Sequence, residues 1–205
     1  MAPDVPPTRW ERTTEPSYGD VFEGLIERGE DIDGEARLAD VLAPREARIL
    51  DGGAGIGRVA AALVRRGHDV TAVEKDPDLV ARARRLFPDL PVLQADLLEL
   101  SGPMLEARGR PSSYDVVVLV GNVMIYLGVD TESRVLRLLG DLLAPGGRIL
   151  VGFHPREGPP QSRDYPVAEF RQHVGEAGLE VRQLFGTYDL APPAEDYVVA
   201  VLGRP

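Results

Sequence analysis

Ile49-Leu50-Asp51-Gly52-Gly53-Ala54-Gly55-Ile56-Gly57-Arg58-Val59-Ala60 starts in strand-like apolar residues, turns through four glycines and continues into a helix-forming run. Glycine at such a turn tolerates positive φ and lets the backbone approach a ligand closely. A helix beginning behind the turn offers unpaired N–H groups and the positive end of its dipole. Seventeen residues past Gly57, at the end of the next apolar run, stands Glu74. A carboxylate there is placed to accept both hydroxyls of a ribose.

The chain on both sides of this stretch alternates. Ala47–Leu50 reads as a short strand, and Gly57–Arg66 as a helix ending at Gly67. Asp69–Val73 is the next strand, a helix runs from Asp76 or Pro77 to Phe87, and Pro91–Gln94 is the third strand. Asp115–Val120 is continuously apolar, as a strand covered on both faces should be. Thr131–Leu143 is helical, Pro145-Gly146-Gly147 closes it, and Arg148–Phe153 is the fifth strand. This rhythm predicts an α/β, doubly wound, mostly parallel sheet. After a helix near Val167–Ala177, Leu179–Phe185 and Tyr197–Leu202 follow with no helix between them, which predicts an antiparallel pair at one edge.

Upstream, Ser17 to about Leu42 reads as two helices, and Met1–Pro16, with four prolines, as a flexible lead-in. The 205 residues favour a single structural domain, with 1–45 an arm and helical cap and 46–205 the ligand-binding part. The absence of Cys removes disulfide scaffolds, Cys-based zinc sites and thiol catalysis together. A net charge of −10, with dispersed basic residues, argues against nucleic acid as the main partner. No apolar run is long enough to span a bilayer, and residues 1–16 lack a secretory layout, so no membrane partner and a cytoplasmic location are expected.

Two ligand classes fit the glycine loop. Gly55-Ile56-Gly57-Arg58-Val59-Ala60 has the dinucleotide form, and Glu74 would serve a NAD or FAD ribose. The longer Asp-x-Gly-x-Gly-x-Gly pattern at Asp51, Gly53, Gly55 and Gly57 resembles the first motif of class I S-adenosylmethionine-dependent methyltransferases. Glu74 matches that family's second-strand acid, Gln94-Ala95-Asp96-Leu97 its third-strand end, and Leu143-Ala144-Pro145-Gly146-Gly147 its turn before strand five. Four elements in order outweigh one loop, and an oxidoreductase has no reason to carry both Asp96 and the Pro-Gly-Gly turn. The chain is similar to this family over about residues 30–205, and Gly121-Asn122-Val123-Met124-Ile125-Tyr126 and Gly34-Glu35-Ala36 more loosely resemble a group of small bacterial members of mostly unassigned substrate.

The resemblance implies a Rossmann-like fold with a seven-stranded, mostly parallel sheet and an antiparallel C-terminal strand. It implies S-adenosyl-L-methionine as cofactor, leaving as S-adenosyl-L-homocysteine. The residues it assigns to the cofactor are Asp51, Gly53, Ala54, Gly55, Gly57 and Arg58 in the loop, Glu74 and Lys75 after strand two, Asp96 and Leu97 after strand three, and Gly121, Asn122 and Met124 after strand four. Asp51 would orient the loop and meet the methionine end. Asp96 would face the adenine amino group, cap the segment behind it, or do both. Asp76 reads as a helix cap, and Asn122 as either a ligand contact or a turn residue.

Methyl transfer is an in-line displacement, so positioning and exclusion of water carry most of the catalysis. A protein base is needed only when the nucleophile must lose a proton. His154, directly after strand five, is the candidate base, and Tyr126 and Met124 are candidates to face the methyl group or substrate. His68 and His173 are expected at the surface, and Tyr18 and Phe22 as a lid. Pro155–Pro166 and the loop after Phe185 would add substrate specificity to that of the cap. No acid occupies position 154, so no metal is expected. The expected partner is a small molecule with an oxygen, nitrogen or carbon nucleophile, bound by a monomer or homodimer. The alternatives are a protein of this fold that binds the cofactor without methylating, or a NAD- or FAD-linked oxidoreductase.

Overall fold

Seven strands hydrogen-bond into one sheet in the order β3-β2-β1-β4-β5-β7-β6 in a computed structural model that describes residues 5–12 and 17–205. The strands are β1 (Arg48–Gly52), β2 (Asp69–Glu74), β3 (Val92–Gln94), β4 (Tyr114–Leu119), β5 (Leu143–Phe153), β6 (Glu180–Phe185) and β7 (Val198–Gly203). β1 pairs in parallel with both β2 and β4, and β7 is antiparallel to β5 and to β6. The strand order therefore reverses between β1 and β4, which opens a crevice beyond their carboxyl ends.

Eight α-helices are described: α1 (Ser17–Glu27), α2 (Gly34–Leu42), α3 (Arg58–Arg65), α4 (Pro77–Leu86), α5 (Gly102–Glu106), α6 (Val123–Tyr126), α7 (Glu132–Asp141) and α8 (Val167–Glu176). They cover both faces of the sheet. Val117, Leu119 and Ile149 pack with Leu136, Leu139 and Phe170 on one side, whereas Val116, Val118 and Leu150 pack with Val59, Leu63 and Val80 on the other. The alternation along β4 explains its unbroken apolar sequence, since both pleats are buried.

The Pro-Gly-Gly turn lies inside β5 rather than before it. Tyr114 pairs with Leu143 and Val116 with Arg148, so residues 144–147 bulge from the ladder. The helix before it ends at Asp141, earlier than its apolar pattern suggested.

The lead-in departs further from expectation. Positions 1–4 and 13–16 lie outside the described residues, as does the side chain of Tyr18, but residues 5–12 are held in place. Thr8 makes a bridge with Gly128, the Arg9 N–H donates to Tyr126 O at 2.9 Å, and Trp10–Arg12 forms a 3-10 turn. Val5 packs against the larger core. These contacts give a Pro-rich stretch enough partners to fix it across the carboxyl end of the sheet.

Candidate functional site

The glycine loop folds back on the second strand. Gly53 and Ala54 donate their N–H groups to Val73 O at 2.8 and 3.0 Å, and the loop closes with Gly57 N–H on Ala54 O at 2.9 Å. Gly53 has φ +72, and a Cβ on it would lie 2.6 Å from Val123 Cγ2. Gly57 has φ +82, and a Cβ there would lie 2.8 Å from Leu90 Cδ2. These two positions need glycine for conformation and for space.

Glu74 ends β2 beside this loop, buried, with its carboxylate held by three backbone N–H groups. Oε2 accepts from Gly55 at 2.8 Å, and Oε1 from Lys75 at 2.7 Å and Asp76 at 2.8 Å. Burial pushes its pKa above the ordinary range, while those N–H groups pull the other way. Asp96 caps the 3-10 turn Leu97–Glu99: its Oδ1 accepts from Leu98 N–H at 2.8 Å, and Glu99 accepts from the Asp96 N–H at 3.1 Å. Lys75 Nζ stands 3.0 Å from Asp96 Oδ2 and 2.6 Å from Glu11 Oε1. Partial burial pulls this ammonium down, but the two carboxylates outweigh it and leave its pKa above the usual value.

A cleft of about 320 Å³ lies over the reversal point. One half is walled by Gly53, Gly55, Glu74, Lys75, Asp96 and Leu97, the other by Gly121, Asn122, Val123 and Tyr126. Phe22 and Val21 of α1 line it as well.

Several residues assigned to the site stand behind it. Arg58 is buried and ties α3 to α1 and α2: its guanidinium donates to Ile32 O at 2.7 Å, grips the Glu35 carboxylate with both Nη atoms, and stacks 4.5 Å from the Phe22 ring. Asp51 does not line the cleft. Its carboxyl meets the Arg58 charge and the Ala60 N–H, its Oδ2 has no partner among the described residues, and burial pushes its pKa up to about 7. Ala54 and Met124 are core residues, and Gly57 packs on α4.

Asn122 holds φ +76 at the end of β4. Its Oδ1 accepts from the His154 backbone N–H at 2.9 Å and lies 3.0 Å from the ring Nδ1. The His154 ring meets Tyr197 edge-on at 4.7 Å and is absent from the cleft wall. Desolvation lowers its pKa, which favours the neutral ring. His68 is buried rather than exposed, accepting from Ala47 N–H at 3.2 Å and standing 3.0 Å from Asp40. His173 is half-buried, 2.8 Å from the Tyr165 hydroxyl.

Sequence reasoning missed the roof. The indole N–H of Trp10 donates to Asp76 Oδ2 at 2.7 Å, and the Trp10 ring meets Tyr126 edge-on at 5.3 Å. Asp76 also caps α4, as expected, by accepting from Asp78 N–H. Pro159, Pro160 and Gln161 close the far side, and the Tyr126 hydroxyl donates to Pro160 O at 3.0 Å. Both covering segments converge on Glu132, whose side chain is fully buried: Oε1 lies 2.7 Å from Arg163 and 3.5 Å from Arg9. The one signal for the roof was a lone Trp in a polar, Pro-rich stretch.

The methyltransferase-domain family matches residues 49–147, which contain the loop, Glu74, Asp96 and the β4 end. A TehB-like S-adenosylmethionine-dependent methyltransferase from Corynebacterium glutamicum superposes with a TM-score of 0.78 at 31% identity, covering 93% of this chain and 100% of that one. This chain belongs to the S-adenosylmethionine-dependent methyltransferases.

Other methyltransferases align along the sequence. The ribosomal RNA small subunit methyltransferase A of Anaeromyxobacter dehalogenans is 32% identical over 210 residues, covering 96% of this chain and 70% of the relative. The ubiquinone biosynthesis O-methyltransferase of Xanthomonas euvesicatoria is 29% identical over 144 residues, 64% of this chain and 58% of that one. The family's cofactor suits the donor set of this methyltransferase: an ionisable acid braced by backbone N–H groups, a second acid one strand away, and apolar walls between them. No helix among the described residues is long and apolar enough to cross a membrane.

Proposed function

We propose that this methyltransferase moves a methyl group from S-adenosylmethionine to an oxygen, nitrogen or carbon nucleophile of a small molecule. The observation that carries the small-molecule reading is the roof. Two chain segments, 8–12 and 159–161, cross the cleft and meet through Trp10, Tyr126 and Pro160. Three basic side chains on or next to the covering segments are engaged by the protein's own acids: Lys75 by Glu11 and Asp96, Arg9 by Glu132, and Arg163 by Glu132 and Glu169. An RNA backbone needs such cations for itself, and the chain carries −10 overall.

In this reading residues 1–45 are the cap of a 46–205 cofactor domain. Glu74 accepts the ribose hydroxyls, Asp96 takes the adenine amino group, and Leu97 packs against the base. Gly53, Gly55, Gly121 and Asn122 present backbone groups to the methionine end, and Lys75 balances the two acids. Bound S-adenosylmethionine supplies a methyl group already activated on a sulfonium. The protein's part is to hold the acceptor in line and to exclude water, which the Trp10–Tyr126 roof does. Asp51, Arg58, Gly57 and Ala54 hold the loop, and Met124 backs it. His154 positions Asn122 rather than taking a proton, and Tyr126 is a wall of the acceptor site.

Calorimetric titration with S-adenosylmethionine and S-adenosylhomocysteine, with NAD as control, tests the cofactor half. Micromolar binding of both sulfur compounds and none of NAD is expected. Methyl incorporation into a small-molecule library, and none into ribosomal RNA, tests the acceptor half. Transfer to RNA alone would overturn it.

A further inference from the structure

The two aromatic residues and the arginine nearest the cleft's acceptor end turn their polar atoms away from it, and this limits what can bind there. Trp10 uses its indole N–H on Asp76, so it presents ring carbons. Tyr126 uses its hydroxyl on Pro160 O and presents the same. Arg9 is drawn out of the cleft by Leu127 O at 2.6 Å and by Glu132. Among the described lining residues, the charges in the cleft belong to Glu74, Lys75 and Asp96, all at the cofactor end and already paired or braced. What remains around the acceptor is aromatic and aliphatic surface with the Thr8 hydroxyl, which has no partner among the described residues, and the amides of Asn122 and Gln161.

A charged acceptor entering this end would shed its hydration and meet no counter-charge among the described residues, which is costly. A flat ring loses little, because the walls are ring faces, ring edges and proline carbons. From these contacts, and resting on the small-molecule reading above, we propose that the acceptor is an uncharged, flat ring compound. It is held between the Trp10–Tyr126 pair and the Pro159–Gln161 turn, and an amide of Asn122 or Gln161 fixes its one polar group. Selection against carboxylate- and ammonium-bearing analogues is then a property of the walls and not of the reacting atom.

Trp10 is the chain's sole tryptophan, so its fluorescence reports on this cleft directly. The experiment titrates protein saturated with S-adenosylhomocysteine with four probes: 4-methylphenol, 4-hydroxybenzoate, tyramine and 4-methylcyclohexanol. 4-Methylphenol is expected to bind, with the carboxylate and the amine weaker by roughly a hundredfold or more. The saturated alcohol should be weaker by about tenfold, the part due to aromatic contact. Tyr126→Ser should weaken 4-methylphenol by about tenfold, and Gln161→Lys should improve 4-hydroxybenzoate by at least about tenfold. Equal or tighter binding of either charged probe overturns the neutrality, equal binding of the saturated alcohol overturns the ring, and no binding of 4-methylphenol overturns both. Failure of the underlying reading shows separately, as no response to S-adenosylhomocysteine itself or as methyl transfer to RNA.

Discussion

The Glu74 carboxylate accepts the Gly55 backbone N–H at 2.8 Å, so the acid that ends β2 also braces the glycine loop. In the proposed reading one residue then serves both the cofactor's ribose and the shape of the loop beside it. Glu74→Ala removes both, and two hydrogen bonds to a charged group are worth about 3–6 kcal/mol together. Calorimetry should show S-adenosylhomocysteine affinity falling by a hundredfold or more, to roughly that extent. Glu74→Gln keeps one oxygen for Gly55 and should lose less. Equal losses in the two variants would mean that charge, not bracing, is what matters.

Gly57 separates conformational strain from steric strain. At φ +82 any side chain is disfavoured, and a Cβ would also press on Leu90 at 2.8 Å. Gly67 has φ +91, and a Cβ there would meet nothing within 4 Å. Gly67→Ala should cost about 1 kcal/mol from the backbone alone, and Gly57→Ala about 2–3 kcal/mol because overpacking adds to it. Urea denaturation measures both. A Gly57→Ala variant as stable as Gly67→Ala would show that α4 yields readily.

Such local demands are what made the fold legible. Four glycines between an apolar strand and a helix, followed by Glu74 and then Asp96, can be satisfied together at the crevice of a doubly wound sheet, and Gly53, Gly55, Glu74 and Asp96 line it. The roof was not legible because it is made of long-range contacts that leave no periodicity. Trp10 finds Asp76, and Arg9 finds Glu132, across more than sixty and one hundred positions respectively. Asp51 and Arg58 were assigned to the cofactor because the motif names positions. The alternation of a strand turns Asp51 toward α3, and Arg58 turns to the acid on α2. His154 was placed at the correct sheet edge, but its ring is drawn to Asn122 and Tyr197.

Asp51 should make the fold sensitive to pH. Burial raises its carboxyl to about 7 from an ordinary 3.8. The folded chain then keeps a proton that the unfolded chain releases, so stability is fully present below about pH 4 and falls as pH rises through about 7. The loss from this group amounts to at most about 4 kcal/mol. Thermal unfolding of Asp51→Asn should therefore vary less between pH 4 and 7 than that of the parent chain. Parallel curves for the two proteins would mean that Asp51 is ionised when buried, compensated by Arg58.

Glu132 holds both segments of the roof, and its substitution tests whether they move together. Its Oε1 meets Arg163 at 2.7 Å and Arg9 at 3.5 Å, and all three side chains are largely removed from solvent. Glu132→Gln leaves Arg9 without a counter-charge and Arg163 with Glu169 alone, and should cost about 3 kcal/mol of stability. If Arg9 is the arm's main anchor, the arm lifts in this variant and Trp10 emission shifts to longer wavelength as the indole meets water. Asp76→Asn, which keeps an acceptor for the indole N–H, should leave that emission nearly unchanged. A stability loss in Glu132→Gln with Trp10 emission unmoved would assign the arm's hold to the Trp10–Asp76 bond instead, and the two segments would then open independently.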